Sequence, residues 1–128
     1  MTQHVNKAEI IGNVGNPPDI RNLQDGGRVC NLSVATTDRW TGDDGQRKER
    51  TEWHRVCIYN ENLIGLVEKH LMKGHLVRLV GRIKTRKWRH QDGSDRYTTE
   101  IHLGDFGAEL TLLPQGRKDV TEPDSEAA

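Results

Sequence analysis

The sequence contains no run of 18 or more apolar residues, so no segment reads as a transmembrane helix. Residues 1–15, "MTQHVNKAEIIGNVG", lack the charged start and apolar core of a secretion signal. The expectation is a soluble, cytoplasmic protein. Cysteine is scarce: Cys30 and Cys57 stand apart, neither in a Cys-x-x-Cys pair. That spacing argues against a zinc cluster, and both read as reduced, small apolar residues. Apolar residues make up 33% of the 128 and charged residues 30%, which suits one small domain with a solvated face rather than a deep core. A Gly-rich phosphate loop, metal-ligand spacing and a supported Ser/His/Asp order are all missing. Asp43, Asp44, Glu49 and Glu52 imitate a nuclease carboxylate cluster, but consecutive aspartates beside glycine are more often turn residues. The expectation is therefore no enzyme, no cofactor and no metal.

An excess of one charge is absent too, with 19 basic and 19 acidic residues. The balance conceals clustering. Residues 115–128 hold two bases and four acids, which leaves 17 bases against 15 acids in the rest. From Arg78 to Arg89 inclusive there are six Lys or Arg and no acid. A local patch of this kind attracts phosphates whatever the overall charge.

Periodicity orders the chain. Residues 5–14 read as a strand, "GNPPDIRNLQDGG" as a loop with a turn at Asp25-Gly26-Gly27, and "RVCNLSVATT" as a second strand. Residues 38–50 are polar and read as a long, mobile hairpin connection. "TEWHRVCIYN" is a third strand. Residues 61–73 change to helical spacing, through Leu63, Leu66, Val67 and Leu71, with Gly74 as the cap. "HLVRLVGRIKTRKW" and "RYTTEIHL" form a long hairpin around "QDGSD", and "AELTLL" follows. No repeat appears. Residues 1–113 read as one domain and 114–128 as a short, acidic, disordered tail. The order implies an all-β OB-fold, a five-stranded Greek-key barrel with one helix between strands 3 and 4.

Strand parity sorts the functional candidates. In "VRLVGRIKTRKW" the odd positions Val77, Leu79, Gly81, Ile83 and Thr85 read as core. Trp88 then shares a face with Arg78, Val80, Arg82, Lys84 and Arg86. In the third strand Val56 and Ile58 read as core, which puts Trp53, Arg55, Cys57 and Tyr59 on the opposite face. Aromatic rings interleaved with bases suit unstacked nucleotides: the rings stack on bases and the cations meet phosphates. A β-bulge in either strand would reverse the parity and return its aromatics to the core. Trp40, beside Arg39, lies where the strand register is open to loss. Arg47, Lys48 and Arg50 are phosphate contacts or solvated loop charges. His54 shares parity with the core and reads as an interior or interface histidine.

"VNKAEIIGNVG", "TEWHRV", "KTRKW" and "DRYTTE" occur in this order, and together they resemble the bacterial single-stranded DNA-binding proteins over about residues 4–113. The resemblance implies a homotetramer of OB-folds that binds and protects single-stranded DNA in replication, recombination and repair, a cytoplasmic and nucleoid-associated role. It implies stacking by Trp40, Trp53, Tyr59 and Trp88, with Tyr59 where phenylalanine is common. It implies backbone contacts by Lys7, Arg21, Arg55, Lys73, Lys84, Arg86 and Lys87, beside Arg39, Arg47, Lys48, Arg50 and Arg82 from the clusters above. It links His54 to the oligomer interface. The ending "DVTEPDSEAA" is acidic but has no terminal aromatic, so recruitment of replication and repair proteins is not carried over. A replication-restart accessory acting through protein contacts is the competing reading; it would not need the complete aromatic set.

Overall fold

The computed structural model describes residues 3–114. The elements are β1 (Ala8–Val14), β2 (Asp19–Asn22), β3 (Arg28–Thr41), β4 (Arg47–Ile58), α1 (Glu61–His70), β5 (Leu76–Arg89), β6 (Asp95–Leu103) and β7 (Glu109–Leu112). Five strands close on themselves: β1 pairs with β3, β3 with β4, β4 with β6, β6 with β5, and β5 with β1 again. Only β4–β6 is parallel, and it is short, running from Val56↔Ile101 to Ile58↔Leu103. The helix falls between the third and fourth barrel strands. This is the expected OB plan. The strands β2 and β7 are short additions along β3 and β5. The acidic segment expected from residue 114 lies outside the described residues from 115 on.

Alternation fills the interior. Cys30, Leu32, Val34, Val56, Ile58, Val77, Leu79, Ile101 and Leu103 are buried in one cluster. Ile64 and Val67, three apart on one face of α1, close it from the helix side. The Asn60 side chain caps α1 by accepting from the Leu63 N–H at 3.2 Å. Arg28 at the start of β3 reaches Glu61 and Glu68 of the helix, each at 3.2 Å.

Three expectations need correction. The helix stops at His70, short of residue 73. Leu71 turns extended (φ −84°, ψ 135°) and is buried, and Gly74 at φ 87° turns the chain into β5 instead of capping α1. The loop expected between the first two strands contains β2, which folds back on β3 around a tight turn where the Leu23 N–H donates to the Gly27 carbonyl at 2.7 Å. Residues 38–50 are mostly strand. The β3–β4 ladder runs unbroken from Cys30↔Ile58 to Thr41↔Arg47. Cross-strand polar pairs sustain it: the Thr37 and Thr51 hydroxyls meet at 2.9 Å, and Arg39 meets Glu49 at 3.1 Å. A strand wet on both faces carries no hydrophobic period to read.

These long ladders outrun the barrel. The strand β1 touches β3 only at Asn13 and Val14, and β4 leaves β6 beyond Val56. On β5, pairing with β1 ends at Gly81. A Cβ at Gly81 would lie 2.6 Å from the His102 carbonyl oxygen, so the close crossing there admits only glycine. Past it, the Asn6 side chain adds one more rung, donating to the Ile83 carbonyl at 2.8 Å and accepting its N–H at 2.9 Å. Residues 36–52 and 82–100 thus form two-stranded arms. Ile83, of the expected core set, is 47% exposed for this reason, and Thr85 is exposed with it. Val80, of the expected basic face, is buried in a recess shared with Val5, Lys7 and Ala108.

Candidate nucleic-acid interface

Residues paired across a ladder share a face. The registers of β3–β4 and β5–β6 contain no shift, so the parity reading survives to both arm tips. Trp53, Arg55 and Cys57 of β4 lie on the outer side of the barrel, and Tyr59, just past the strand end, follows them. Arg82, Lys84, Arg86 and Trp88 of β5 are paired with His102, Glu100, Thr98 and Arg96 of β6. Cys57 is the register partner of His102, which makes the two groups parts of one face. An open groove of about 580 Å³ runs across it, lined among others by Arg21, Ser33, Trp53, Arg55, Arg86 and Glu100.

Each outer ring is braced yet solvated. Trp53 is 59% exposed, and its six-membered ring lies against Gly15, where any Cβ would overlap it. Trp88 donates its indole N–H to the Thr98 hydroxyl at 2.8 Å and tilts against His90, with ring centroids 5.8 Å apart. Tyr59 tilts against His102 at 5.3 Å. Burial raises the Tyr59 pKa, so the phenol stays neutral. Trp40 differs. Its strand register holds, pairing it with Lys48, and parity puts it on the reverse face of the β3–β4 arm from Trp53. It is 45% exposed there. Three of the four expected stacking rings therefore share the outer face, and the fourth is reached around the arm.

The expected cations divide in the same way. Arg55, Arg82 and Lys84 sit on the outer face, and no ion pair engages them among the described residues. Arg86 joins them but meets Glu100 at 2.9 Å. Arg21 is tied to Asp19 at 3.2 Å and Arg39 to Glu49 at 3.1 Å. Lys48 is tied to Asp44 at 3.6 Å and Lys87 to Asp95 at 3.4 Å. Arg50 and Lys48 share the Trp40 face, while Arg47 lies at the base of the hairpin turn on the other parity. Lys87 is on the reverse face of its arm from Trp88, paired with Tyr97. Lys7 lies with Arg82 in the recess beside Phe106, and Lys73 in the turn after α1, not among the groove residues. His54 faces inward, half-buried, and bonds the Thr36 hydroxyl at 2.9 Å.

Glu100 was not anticipated. It is the buried carboxylate of this surface, 4% exposed. The Arg86 guanidinium, with help from His102 and Cys57, holds its pKa down to about 2 against the cost of burial. The same contact raises the Arg86 pKa further. Tyr97, Arg96 and Phe106 are further exposed groups that parity of single strands missed. Counting back from the hairpin tip at Asp92-Gly93 would have put Arg96 opposite Trp88 and Tyr97 opposite Lys87.

Residues 5–108 match the Single-strand binding protein family. The chain belongs to that family. Among curated relatives, the single-stranded DNA-binding protein of Rhizobium meliloti (strain 1021) is 46% identical over 114 residues, 88% of this chain and 66% of that protein. The single-stranded DNA-binding protein of Rickettsia felis (strain ATCC VR-1525 / URRWXCal2) is 42% identical over 126 residues, 98% of this chain and 83% of that protein. Among solved structures, the Plasmodium falciparum SSB complex with ssDNA superposes with a TM-score of 0.80 at 36% identity, covering 89% of this chain and 99% of that one. The family match spans both arms and the barrel between them, so every outer-face residue described above falls inside it.

Proposed function

We propose that this member of the family binds single-stranded DNA without sequence preference, and that it does so through the outer face and the two arms. The arrangement of Trp53 with Arg55 and Trp88 with Arg86 on one face across an open groove carries this reading. Bases stack on Trp53, Tyr59 and Trp88, and the strand turns around the β3–β4 arm to reach Trp40. Arg55, Arg82 and Lys84 meet phosphates first, since no ion pair must break. Arg21, Arg39, Lys48 and Lys87 follow by exchanging a carboxylate for a phosphate, while Arg86 keeps Glu100 on Nε and Nη2 and offers Nη1 to a phosphate. Arg47, Arg50, Lys7 and Lys73 add peripheral charge. Duplex DNA hides its base faces and is excluded.

In this reading the protein is a non-enzymatic binder that protects exposed strands in the cytoplasm during replication, recombination and repair. No helix of the described residues is long and apolar enough to cross a membrane. It assembles as a homotetramer, which would cover Ile83 and Ile11, both about half exposed. His54 sits behind the first of these, where it shares a recess with Ile83 and Ile10. Titration of tryptophan fluorescence with oligo(dT), with duplex DNA as control, tests the reading. Strong quenching by oligo(dT) alone, weakened by salt, is expected. A folded protein without quenching would refute it and favour a role through protein contacts.

A further inference from the structure

One cluster on the outer face is used by neither stacking nor phosphate contact. Cys57 and His102 are register partners in the parallel pair that closes the barrel, and Glu100 lies two residues before His102 on the same face. Cys57 and Glu100 are buried and His102 is half-buried. A thiol sulfur, a carboxylate oxygen and an imidazole nitrogen from these three lie within 4.8 Å of one another. Glu100 divides its oxygens. One accepts from Arg86 at 2.9 Å, and the other meets His102 Nε2 at 2.9 Å.

This donor set is that of a zinc ion with three protein ligands and one open position. Zinc bonds of about 2.0–2.3 Å place tetrahedral ligand atoms roughly 3.3–3.8 Å apart. The present spread, within 4.8 Å, must tighten to that on binding. The Arg86 contact suits a ligating carboxylate, because it anchors the oxygen that the metal does not use. The Tyr59 ring lies against His102, with centroids 5.3 Å apart, and braces the imidazole. We propose that Cys57, Glu100 and His102 form a zinc site, with water in the fourth position facing the groove. The metal displaces the Cys57 thiol proton into solvent, and His102 ligates through Nε2 with its remaining proton on Nδ1. One proton leaves as two positive charges arrive, so the face gains one net positive charge. The lack of a Cys-x-x-Cys pair argues against zinc in the sequence, and it is blind to this cluster because Cys57 and His102 meet only through β4–β6 pairing.

The test is titration of the full, reduced, metal-free protein with Co²⁺, without DNA. One Co²⁺ per chain is expected, with a thiolate-to-cobalt charge-transfer band and tetrahedral visible absorption that Zn²⁺ abolishes. Cys57→Ser should lose the charge-transfer band, His102→Ala should weaken binding, and Cys30→Ser should behave as wild type. Circular dichroism of each variant establishes that it is folded; should Cys57→Ser not fold, His102→Ala and Cys30→Ser decide the assignment. Absence of the band in the folded wild-type protein would overturn the proposal. So would its persistence in Cys57→Ser, or metal uptake with no thiolate signature, which assigns the ion to surface histidines. DNA takes no part, so failure here leaves the single-strand reading standing.

Discussion

Trp53 and Trp88 reach the same face by different supports, and their variants should behave alike. Each is substantially exposed, so replacement by Ala should cost about 1–3 kcal/mol of oligo(dT) binding while the melting temperature stays near wild type. A large drop in melting temperature would show a packing role instead. Gly15→Val is a sharper probe, because its side chain must occupy the space of the Trp53 ring. It should weaken binding about as much as Trp53→Ala without touching an aromatic residue. Glu100 supplies a prediction of another kind. Its folded pKa, near 2, lies below its ordinary value, so it stabilises the fold above the ordinary carboxylate range. That stability is lost as pH falls from about 4.5 towards 2. Arg86 is half solvated, which screens the pair, and the contribution is on the order of 1–3 kcal/mol. Melting curves from pH 7 to about 2 should therefore fall more steeply for wild type than for Glu100→Gln.

At the scale of elements, the two arms are the unusual feature. A two-stranded ladder without a packed face is marginal in water. Residues 36–52 and 82–100 are held by cross-strand polar pairs, while the barrel strands hold the buried cluster. Amide hydrogen exchange should be faster in both arms than at Val34, Val56, Leu79 or Leu103, and oligo(dT) should slow it mainly in the arms. Equal protection of arms and barrel in the free protein would contradict this. The arms also explain what the sequence concealed. Their alternation could be extrapolated from the buried half of each strand, which is why Trp53, Arg55, Tyr59 and Trp88 were legible. The extent of the β3–β4 arm was not, because Thr, Asp, Arg and Lys on both faces look like loop. The core assignment failed at Ile83 for a related reason: parity fixes a side of the strand, but only the end of pairing with β1 tells that this side is no longer inside. Glu100 was hidden because its burial depends on three strands meeting.

At the scale of the whole molecule, the barrel was readable from five apolar periods and one change to helical spacing. Its closure was not, since no local pattern announces that β4 runs parallel to β6. The proposed assembly has its own test. Light scattering of the purified chain should give the mass of four copies, and an oligo(dT) isotherm should weaken with salt at about 0.7 rather than 0.9 ions per phosphate, the single-strand value. A monomeric mass would remove the assembly from the reading and leave the surface of each copy in place.

The parallel seam has a kinetic meaning as well. Three residue pairs, Val56↔Ile101 to Ile58↔Leu103, join halves of the chain that every other barrel pairing except β1–β5 could leave separate. Hairpins form early because their ends are near in sequence, whereas this seam must wait for a long loop to close. Val56→Ala weakens the seam at the step that limits closure and should therefore slow refolding, which stopped-flow fluorescence would read. The short strip that closes the barrel then sets how fast a newly made chain acquires its groove.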